Sequence, residues 1–289
     1  MKIILKSAVV VILLLSIGCS KQTPKLNYGE VNLIKSGFMF TEGPSTDANG
    51  QVYFTDQPDN KIFKYNPQTD SISIFHQSAE RANGLYFDKN GHLLACADEM
   101  GKIISINQDT SFTVLAQNFE GKQFNGPNDL WIAPNGGIYF TDPYYQRPYW
   151  QRTKADLPSE DVYYISPEGK LGKTEGDFVK PNGLIGTPDG QFLYVADIGA
   201  SKTYRFKISS DGSLTEKTLF CNEGSDGMTI DKHGNVYLTN DFVSVFDASG
   251  TNIAKIKVPE IPSNVTFFGA DKNELFITAR TSVYKVTID

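Results

Sequence analysis

A short unit that combines a polar turn with a β-rich run recurs six times along the chain. The units read DANGQVYFTD, DKNGHLLACAD, APNGGIYFTD, TPDGQFLYVAD, DKHGNVYLTN and ADKNELFITA. Asn or Asp followed by Gly between alternating apolar runs is the strongest short-range signal for a β-hairpin. The turn glycines, 41 to 54 residues apart, are Gly50, Gly91, Gly136, Gly190 and Gly234. Because four-stranded propeller blades run to about 40–45 residues, the pattern predicts an all-β, six-bladed β-propeller with four antiparallel strands in each blade.

The last unit predicts how the ring of blades closes. It has Asn273 in place of the turn glycine and runs into the C-terminus, so no outer strand follows it. The segment VNLIKSG near the N-terminus is similar to the outer-strand runs ISIFHQS and FTVLAQN. We therefore expect residues 31–35 to complete the last blade and to remove the exposed sheet edges. The propeller is expected to take up residues 28–289 as one domain.

Residues 1–19 have the pattern of an export signal. A basic start and an apolar run over residues 7–17 precede Gly18 and Cys19. The apolar run is too short to cross about 30 Å of hydrocarbon as a stable helix. Its ending resembles a bacterial lipoprotein signal, which implies a lipidated Cys19, a linker over residues 20–27 and a periplasmic or outer-membrane-anchored lipoprotein of a bacterium. An ordinary cleaved signal is the alternative.

The charge balance and the cysteines exclude some functions. The formal net charge is -6 and no run of Lys or Arg occurs, which argues against a nucleic-acid-binding surface. Beyond the N-terminal segment only Cys96 and Cys221 remain, within or at the end of apolar runs. We expect two buried free thiols rather than a disulfide, and no metal site built on cysteine.

One position in each repeat carries an oxygen-bearing side chain. Counting back eight residues from each turn glycine, or nine from Asn273 in the last blade, gives Glu42, Asn83, Asn128, Asn182, Asp226 and Asn264. This position is the predicted start of the innermost strand of each blade. Because innermost strands line the central channel of a propeller, we expect these side chains to converge near one point on the axis.

Turn formation is the alternative explanation, since Asn and Asp bond nearby backbone at loop-to-strand junctions. It does not account for Glu42, which is a poor turn former, or for two carboxylates in one narrow channel. A buried charge is costly unless it is paired or bound to a metal. Two carboxylates with neutral amide oxygens suit one hard divalent cation. We expect Ca²⁺, with Mg²⁺, Mn²⁺ and Zn²⁺ as alternatives.

The loop over residues 143–161 is the longest on the predicted mouth of the channel. Its aromatic and basic side chains are Tyr144, Tyr145, Arg147, Tyr149, Trp150 and Arg152. Long loops with aromatics beside a mouth are often binding lids, so we expect Tyr144 and Arg147 to contact substrate; a self-packed surface loop is the alternative. The second strands end at the same mouth, in residues that either support the ligands or form turns: Asp56, Asp98, Asp142, Asp197 and Asn240.

Five motifs occur in a fixed order, namely TEGP, GPND, PNGL with a following PDG, LYVAD and SDGM. In these motifs the chain resembles the gluconolactonase/regucalcin (senescence marker protein) family of six-bladed propellers, over almost the whole mature chain. The resemblance implies one divalent cation held by Glu42, Asn182 and Asp226, with Asn128 close to the metal or the substrate, and hydrolysis of a lactone or related ester. Some lactonases of the family carry an Arg for sugar-lactone recognition where this chain has Gly126.

These observations lead to one functional hypothesis and two alternatives. The hypothesis is metal-assisted lactone hydrolysis, with Asp226 and Asn128 as catalytic residues and Asn83 and Asn264 as further substrate contacts. The alternatives are hydrolysis of organophosphate or aryl esters, and a binding or scaffold lipoprotein with a structural Ca²⁺. The three histidines support neither a His-rich zinc site nor a Ser-His-Asp triad. We expect a monomer that acts on a small molecule, with a membrane tether through Cys19.

Overall fold

The computed structural model describes residues 26–174 and 176–288. In this part of the chain the strands form six four-stranded antiparallel sheets in a ring and one separate two-stranded hairpin, and no helix occurs. The six-bladed β-propeller predicted from the repeats is confirmed. Nothing in the described ranges forms a helix with the length and apolar character needed to cross a bilayer. The predicted signal over residues 1–19, with Cys19, and most of the linker lie outside the described residues.

The strands are numbered in chain order. They are β1 (Asn32–Ser36), β2 (Thr41–Thr46), β3 (Val52–Asp56), β4 (Lys61–Asn66), β5 (Ser71–His76), β6 (Ala82–Phe87), β7 (Leu93–Ala97), β8 (Lys102–Ile106), β9 (Phe112–Ala116), β10 (Asn118–Phe119), β11 (Lys122–Gln123), β12 (Leu130–Ile132), β13 (Ile138–Asp142), β14 (Asp161–Ile165), β15 (Leu171–Lys173), β16 (Pro181–Gly186), β17 (Phe192–Asp197), β18 (Lys202–Ile208), β19 (Leu214–Cys221), β20 (Met228–Ile230), β21 (Val236–Thr239), β22 (Val243–Phe246), β23 (Asn252–Ile256), β24 (Asn264–Phe268), β25 (Glu274–Ala279) and β26 (Ser282–Thr287).

Each blade takes four consecutive strands except the last. Blades 1 to 5 are β2–β5, β6–β9, β12–β15, β16–β19 and β20–β23, while β10 and β11 form the separate hairpin. Blade 6 consists of β24, β25 and β26, with β1 as its outer strand. Antiparallel pairing of β1 with β26 runs from Asn32 opposite Lys285 to Ser36 opposite Ser282. Closure by the N-terminal segment is therefore confirmed, displaced by one residue from the predicted range 31–35.

The turn glycines join the first and second strands of blades 1 to 5, as predicted. All five have positive φ, from 71° at Gly190 to 94° at Gly136, a region that residues with a Cβ rarely adopt. In blade 1 the carboxylate of Asp47 accepts the N–H groups of Asn49 and Gln51 within the turn, which is the usual Asx-turn arrangement. These turns lie on the face opposite the starts of the innermost strands.

The second strands form the centre of the packing. β3, β7 and β13 are buried along their whole length, because neighbouring blades cover both faces of each sheet. For example, Phe54 of β3 contacts Phe276 of β25 across two blades, with ring centroids 5.4 Å apart. Cys96 and Cys221 are buried and free, as predicted. This packing of blade on blade holds the starts of the innermost strands around the axis.

Candidate metal centre

Six oxygen-bearing side chains lie at or next to the starts of the six innermost strands. They are Glu42, Asn83, Asn128, Asn182, Asp226 and Asn264. Asp226 is partly exposed, whereas the other five are buried. A cavity of about 40 Å³ on the axis is lined by residues of all six innermost strands. The strands that carry these side chains therefore surround the axis.

In four blades the next residue is Gly: Gly43, Gly84, Gly183 and Gly227. Each of these glycines packs against the following blade of the ring. A Cβ on Gly227 would lie 1.9 Å from Cγ of Asn264, and one on Gly183 would lie 2.4 Å from the carbonyl oxygen of Asp226. Glycine is needed here because the neighbouring blade approaches too closely for a side chain. These four glycines thus allow close packing at the axis rather than forming hairpin turns.

Two amide side chains of this set each donate a hydrogen bond to a carboxylate. Nδ2 of Asn182 donates to Oδ1 of Asp226 and to the hydroxyl of Tyr145, each over 3.0 Å. In this orientation Oδ1 of Asn182 is buried and has no hydrogen-bond partner among the described residues. On the other side of the axis, Nδ2 of Asn264 donates to Oε2 of Glu42 over 3.3 Å.

Both carboxyl groups of the set have raised pKa values. Desolvation raises the pKa of Asp226 to about 6, against the hydrogen bond from Asn182 and the positive charges of Arg280 and Arg147. Burial, together with the negative charge of Asp226, raises the pKa of Glu42 well above its usual range. A divalent cation would act in the opposite direction, because it favours the ionised forms. Arg280, in the turn before β26, was not identified from the sequence.

Asp129 is a third carboxylate at the axis, and it was not identified from the sequence. Its Oδ1 accepts the N–H of Leu130 over 2.9 Å, and its Oδ2 lies 3.5 Å from Nδ2 of Asn264. Burial raises its pKa to about 7. The signal was present in GPND, since four other blades have Gly at this place. In the described ranges no group of three or more His, Cys, Asp and Glu side chains is arranged to hold a metal ion, so Glu42, Asp129 and Asp226 are not a ligand set by themselves.

Amide oxygens complete the donor set. Oδ1 of Asn83 is buried and, like Oδ1 of Asn182, accepts no hydrogen bond within the described part of the chain. Asn128 is fixed through its backbone carbonyl, which accepts the N–H of Gly84 over 2.8 Å. Buried polar atoms without a partner are rare in proteins, and amide oxygens beside carboxylates are ligands that Ca²⁺ and Mg²⁺ prefer. The residues present therefore fit a hard divalent cation.

Three of the five predicted mouth residues brace the backbone. The two carboxylate oxygens of Asp142 accept the N–H groups of Asn125 and Gly126, over 2.9 and 2.8 Å. Asp56 and Asp197 bond the equivalent segments of their own blades in the same way. Each of these carboxylates fixes the chain just before an innermost strand, and so positions the axial side chain that follows.

Asp98 has a different role, because it fastens the long loop at the mouth. The loop covers residues 143–160, between β13 and β14. The Asp98 carboxylate accepts hydrogen bonds from Nε of Arg147, over 3.2 Å, and from the hydroxyl of Tyr149. Nε1 of Trp150 donates to the Asp98 carbonyl over 3.2 Å. The loop of blade 3 is thereby attached to blade 2.

Tyr145 is the residue of this loop that reaches the axial side chains. Besides its contact with Asn182, its ring lies 4.7 Å from Nζ of Lys180 and 5.5 Å from the guanidinium carbon of Arg147. Burial raises the pKa of Tyr145 to about 12. The hydroxyl of Tyr144 donates to a glutamine of the same loop. Neither Tyr144 nor Arg147, the expected substrate contacts, hydrogen-bonds any of the six axial side chains in this structure.

The space beside Gly126 is filled by the same loop. A Cβ on Gly126 would lie 3.0 Å from Cη2 of Trp150 and 2.8 Å from Oδ1 of Asp98. The indole is held in turn by the guanidinium of Arg152, 4.0 Å from its ring centroid. The place where some lactonases of the resembling family carry an Arg side chain is thus occupied by Trp150.

Together these features define a six-bladed propeller with carboxylate and amide oxygens gathered at its axis, beneath a fastened loop at one mouth. The chain belongs to the SMP-30/gluconolactonase/LRE-like family, whose model matches residues 40–281. All six axial side chains, Asp129 and the loop lie within the matched residues.

Several proteins are similar to the chain over most of its length. A gluconolactonase from Zymomonas mobilis is 29% identical over 287 residues, covering 89% of this chain and 80% of that protein. The solved structure of a gluconolactonase from Xanthomonas campestris matches with a TM-score of 0.84 at 24% identity, over 93% and 95% of the two chains. A calcium-binding protein, regucalcin, from Agrobacterium tumefaciens matches with a TM-score of 0.76 at 18% identity, over 90% and 94%. The two structural likenesses show a shared fold.

Proposed function

We propose that the protein hydrolyses a small lactone or related ester and depends on one divalent cation bound at the axis. The observation that carries the proposal is the pair of carboxylates, Glu42 and Asp226, together with the buried amide oxygens of Asn83 and Asn182, which accept no hydrogen bond from any described residue. Membership of the family and the gluconolactonase relative support a lactone as the substrate class. Ca²⁺ is the proposed cation, because oxygen ligands suit it and a protein of the same fold is described as calcium-binding.

Four residues would bind the cation, orient the substrate and accept a proton. Glu42, Asn182 and Asp226 would hold it, with Asn128 beside them to orient the substrate. When bound, the cation would supply the positive charge that polarises the lactone carbonyl. Asp226 is the group that would take a proton from the attacking water, because it is partly exposed and, among the described residues, hydrogen-bonds only through Oδ1, to Asn182. A general base of this kind typically contributes about 10²–10⁴-fold to the rate.

The remaining axial amides, Asn264 and Asn83, differ in the number of hydrogen bonds that they make. Nδ2 of Asn264 bonds Glu42, and its Oδ1 accepts the N–H of Val265 over 2.8 Å. Asn264 therefore supports Glu42 and is the weaker candidate for a substrate contact. Asn83, whose Oδ1 has no partner among the described residues, is the stronger one. Arg147 is proposed as a contact from the loop side, because its charge acts on Asp226.

Elemental analysis of the purified protein, combined with a panel of lactones, aryl esters and phosphotriesters, tests the proposal. We expect about one divalent ion per chain, lactone hydrolysis that a chelator abolishes, and recovery on addition of Ca²⁺. Asp226→Asn should lower kcat/KM by at least about 10²-fold. Asp189→Asn, in an exposed turn on the opposite face, is the matched control and should leave the activity unchanged.

Each part of the proposal has a result that would contradict it. A protein that keeps full lactone hydrolysis after complete removal of metal does not depend on the cation. Retention of the cation without hydrolysis of any compound of the panel would favour the binding or scaffold function instead. A clear preference for phosphotriesters or aryl esters would replace the lactone by that substrate class.

We also propose that the protein is an exported lipoprotein tethered through Cys19. The support is the sequence of residues 1–19, with its apolar run that ends at Gly18 and Cys19. Labelling with a radioactive fatty acid and membrane fractionation should place the wild type in the membrane fraction. Cys19→Ala should lose the label and leave that fraction. Equal labelling of the two proteins would contradict the tether.

A further inference from the structure

The hydrogen-bond pattern around Asn182 fixes the role of the Tyr145 hydroxyl. Nδ2 of Asn182 lies 3.0 Å from Oδ1 of Asp226 and 3.0 Å from the Tyr145 oxygen. An ionised carboxylate only accepts hydrogen bonds, so the amide must turn its NH₂ group towards Asp226. The orientation of the Asn182 side chain is therefore set by its neighbour, and its Oδ1 is left without a hydrogen-bond partner among the described residues.

This orientation makes the Tyr145 oxygen an acceptor. An amide NH₂ group has two hydrogens and no accepting capacity, so one hydrogen bonds Asp226 and the other bonds Tyr145. The hydrogen of the Tyr145 hydroxyl must then point elsewhere. It has no acceptor within hydrogen-bond distance in the part of the chain that the structure describes, where the amide of Asn182 is the hydroxyl's one partner. Tyr145 thus presents an unused O–H donor directly beside the axial oxygens.

The ring of Tyr145 is held in place from two sides. Nζ of Lys180 lies 4.7 Å and the guanidinium carbon of Arg147 lies 5.5 Å from the ring centroid, and cation–π contacts of this kind are favourable. Arg147 is itself fixed by the Asp98 carboxylate over 3.2 Å. Nζ of Lys180 also donates to the Tyr144 carbonyl over 3.1 Å. The donor is therefore positioned before any ligand arrives, which is the arrangement that makes donors effective in catalysis.

We propose that Tyr145 is a catalytic hydrogen-bond donor to the substrate oxygen that gains negative charge when water attacks the lactone carbonyl. This role rests on the proposed function. The oxygen of water bonds the carbonyl carbon, the ring C–O bond breaks, and the two hydrogens of water end on the new acid and alcohol groups. Tyr145 keeps its own hydrogen throughout, and its contribution is a hydrogen bond that strengthens as the charge develops.

The variant Tyr145→Phe tests this role. Phenylalanine keeps the ring and its contacts with Lys180 and Arg147, and removes only the hydroxyl. Removal of one such donor typically costs about 10²–10³-fold in kcat, so we expect a loss of about 10²-fold, with the Kd for Ca²⁺ in isothermal titration calorimetry within about threefold of the wild type. The control is Tyr28→Phe, which removes a hydroxyl that bonds the Lys255 carbonyl at the outer edge of the ring and should leave kcat and Kd unchanged.

Three results would overturn the role, and they can be told apart. A kcat within about threefold of the wild type shows that the hydroxyl is not needed. A Ca²⁺ affinity at least tenfold weaker, with kcat restored at saturating Ca²⁺, shows that Tyr145 only positions Asn182. A wild-type protein that binds Ca²⁺ and hydrolyses no lactone refutes the proposed function first and the Tyr145 role with it, whereas the first two results leave the proposed function intact.

Discussion

Removal of divalent cations with a chelator should make the protein less stable as the pH rises from 4 to 8. The reason lies in three carboxyl groups at the axis, Glu42, Asp129 and Asp226, whose pKa values are all raised in the folded protein. In the unfolded chain such groups ionise near pH 4. Between that pH and about 7 the folded protein therefore binds more protons than the unfolded chain does. Stability falls with pH wherever the folded state binds more protons.

The size of the effect follows from Asp129, which is 7% exposed. Its pKa is raised from 3.8 to about 7, and each pKa unit corresponds to about 1.36 kcal/mol. The free energy of unfolding should fall by on the order of 4 kcal/mol, a large part of the 5–15 kcal/mol typical of whole domains. At about 2–4 °C per kcal/mol for a domain of this size, Tm should decrease by roughly 10 °C. Asp226 acts in the same direction but less strongly, because the hydrogen bond from Asn182 and the charges of Arg280 and Arg147 offset part of its desolvation.

A bound cation should reverse this loss at pH 8. A ligand present at 100 times its Kd stabilises the folded state by about 2.7 kcal/mol. At pH 4 the same cation should do little, because its carboxylate ligands are then protonated. Asp142, whose pKa burial also raises to about 7, lies outside the proposed ligand set and adds to the slope with or without cation. The difference between the two conditions therefore isolates the axial groups.

Differential scanning calorimetry between pH 4 and pH 8, with chelator or with millimolar Ca²⁺, provides the measurement. The matched variant is Asp129→Asn, which has no titrating group at position 129. In chelator its free energy of unfolding should fall between pH 4 and pH 8 by on the order of 4 kcal/mol less than that of the wild type, and the slope that remains comes from Glu42, Asp142 and Asp226. A chelated wild type that is as stable at pH 8 as at pH 5 would refute the reasoning. So would a Ca²⁺-induced increase in Tm of the same size at every pH.

Two further predictions concern packing. Gly227→Ala should lower the free energy of unfolding by about 1–3 kcal/mol, because the new Cβ would overlap the Asn264 amide of the next blade. The control is Gly172→Ala in β15, where a Cβ meets nothing within 4 Å, and it should change this free energy by less than about 0.5 kcal/mol. Equal shifts of the two variants in guanidinium denaturation would contradict this account. Cys96 and Cys221 should react with iodoacetamide only after unfolding, because both thiols are buried and burial raises their pKa values. If mass spectrometry detects rapid alkylation of either cysteine in the native protein, this prediction is wrong.

The sequence predicts the parts of the structure that repeat. Hairpin turns such as the one at Gly50 depend on a few neighbouring residues, so they can be read from local sequence, and their spacing indicates the number of blades. The axial position is equally regular, because it lies eight residues before the turn glycine in blades 1 to 5 and nine residues before Asn273 in blade 6. Counting back from the turns misses Asp129, because it lies one residue after the axial position. In the other five blades the residue at this place is not acidic.

The contacts of the loop at the mouth are beyond this kind of prediction. Tyr145 and Asn182 are 37 residues apart, and Arg147 and Asp98 are 49 residues apart. The loop has no periodicity, so nothing in the pattern distinguishes Tyr145 from Tyr144. Which of the two side chains turns towards the axis is decided by packing against other blades, and only the folded structure shows it.

The pairing of β1 with β26 has a mechanical consequence. The first and last strands of the ring lie side by side, so a load applied to the N-terminal side of the chain reaches this one ladder before any other. If the ladder opens, blade 6 loses its outer strand and the free edge of β26 can pair with another chain. The five residues of β1 therefore keep the ring closed, and their release would expose a sheet edge that is prone to pair with other chains.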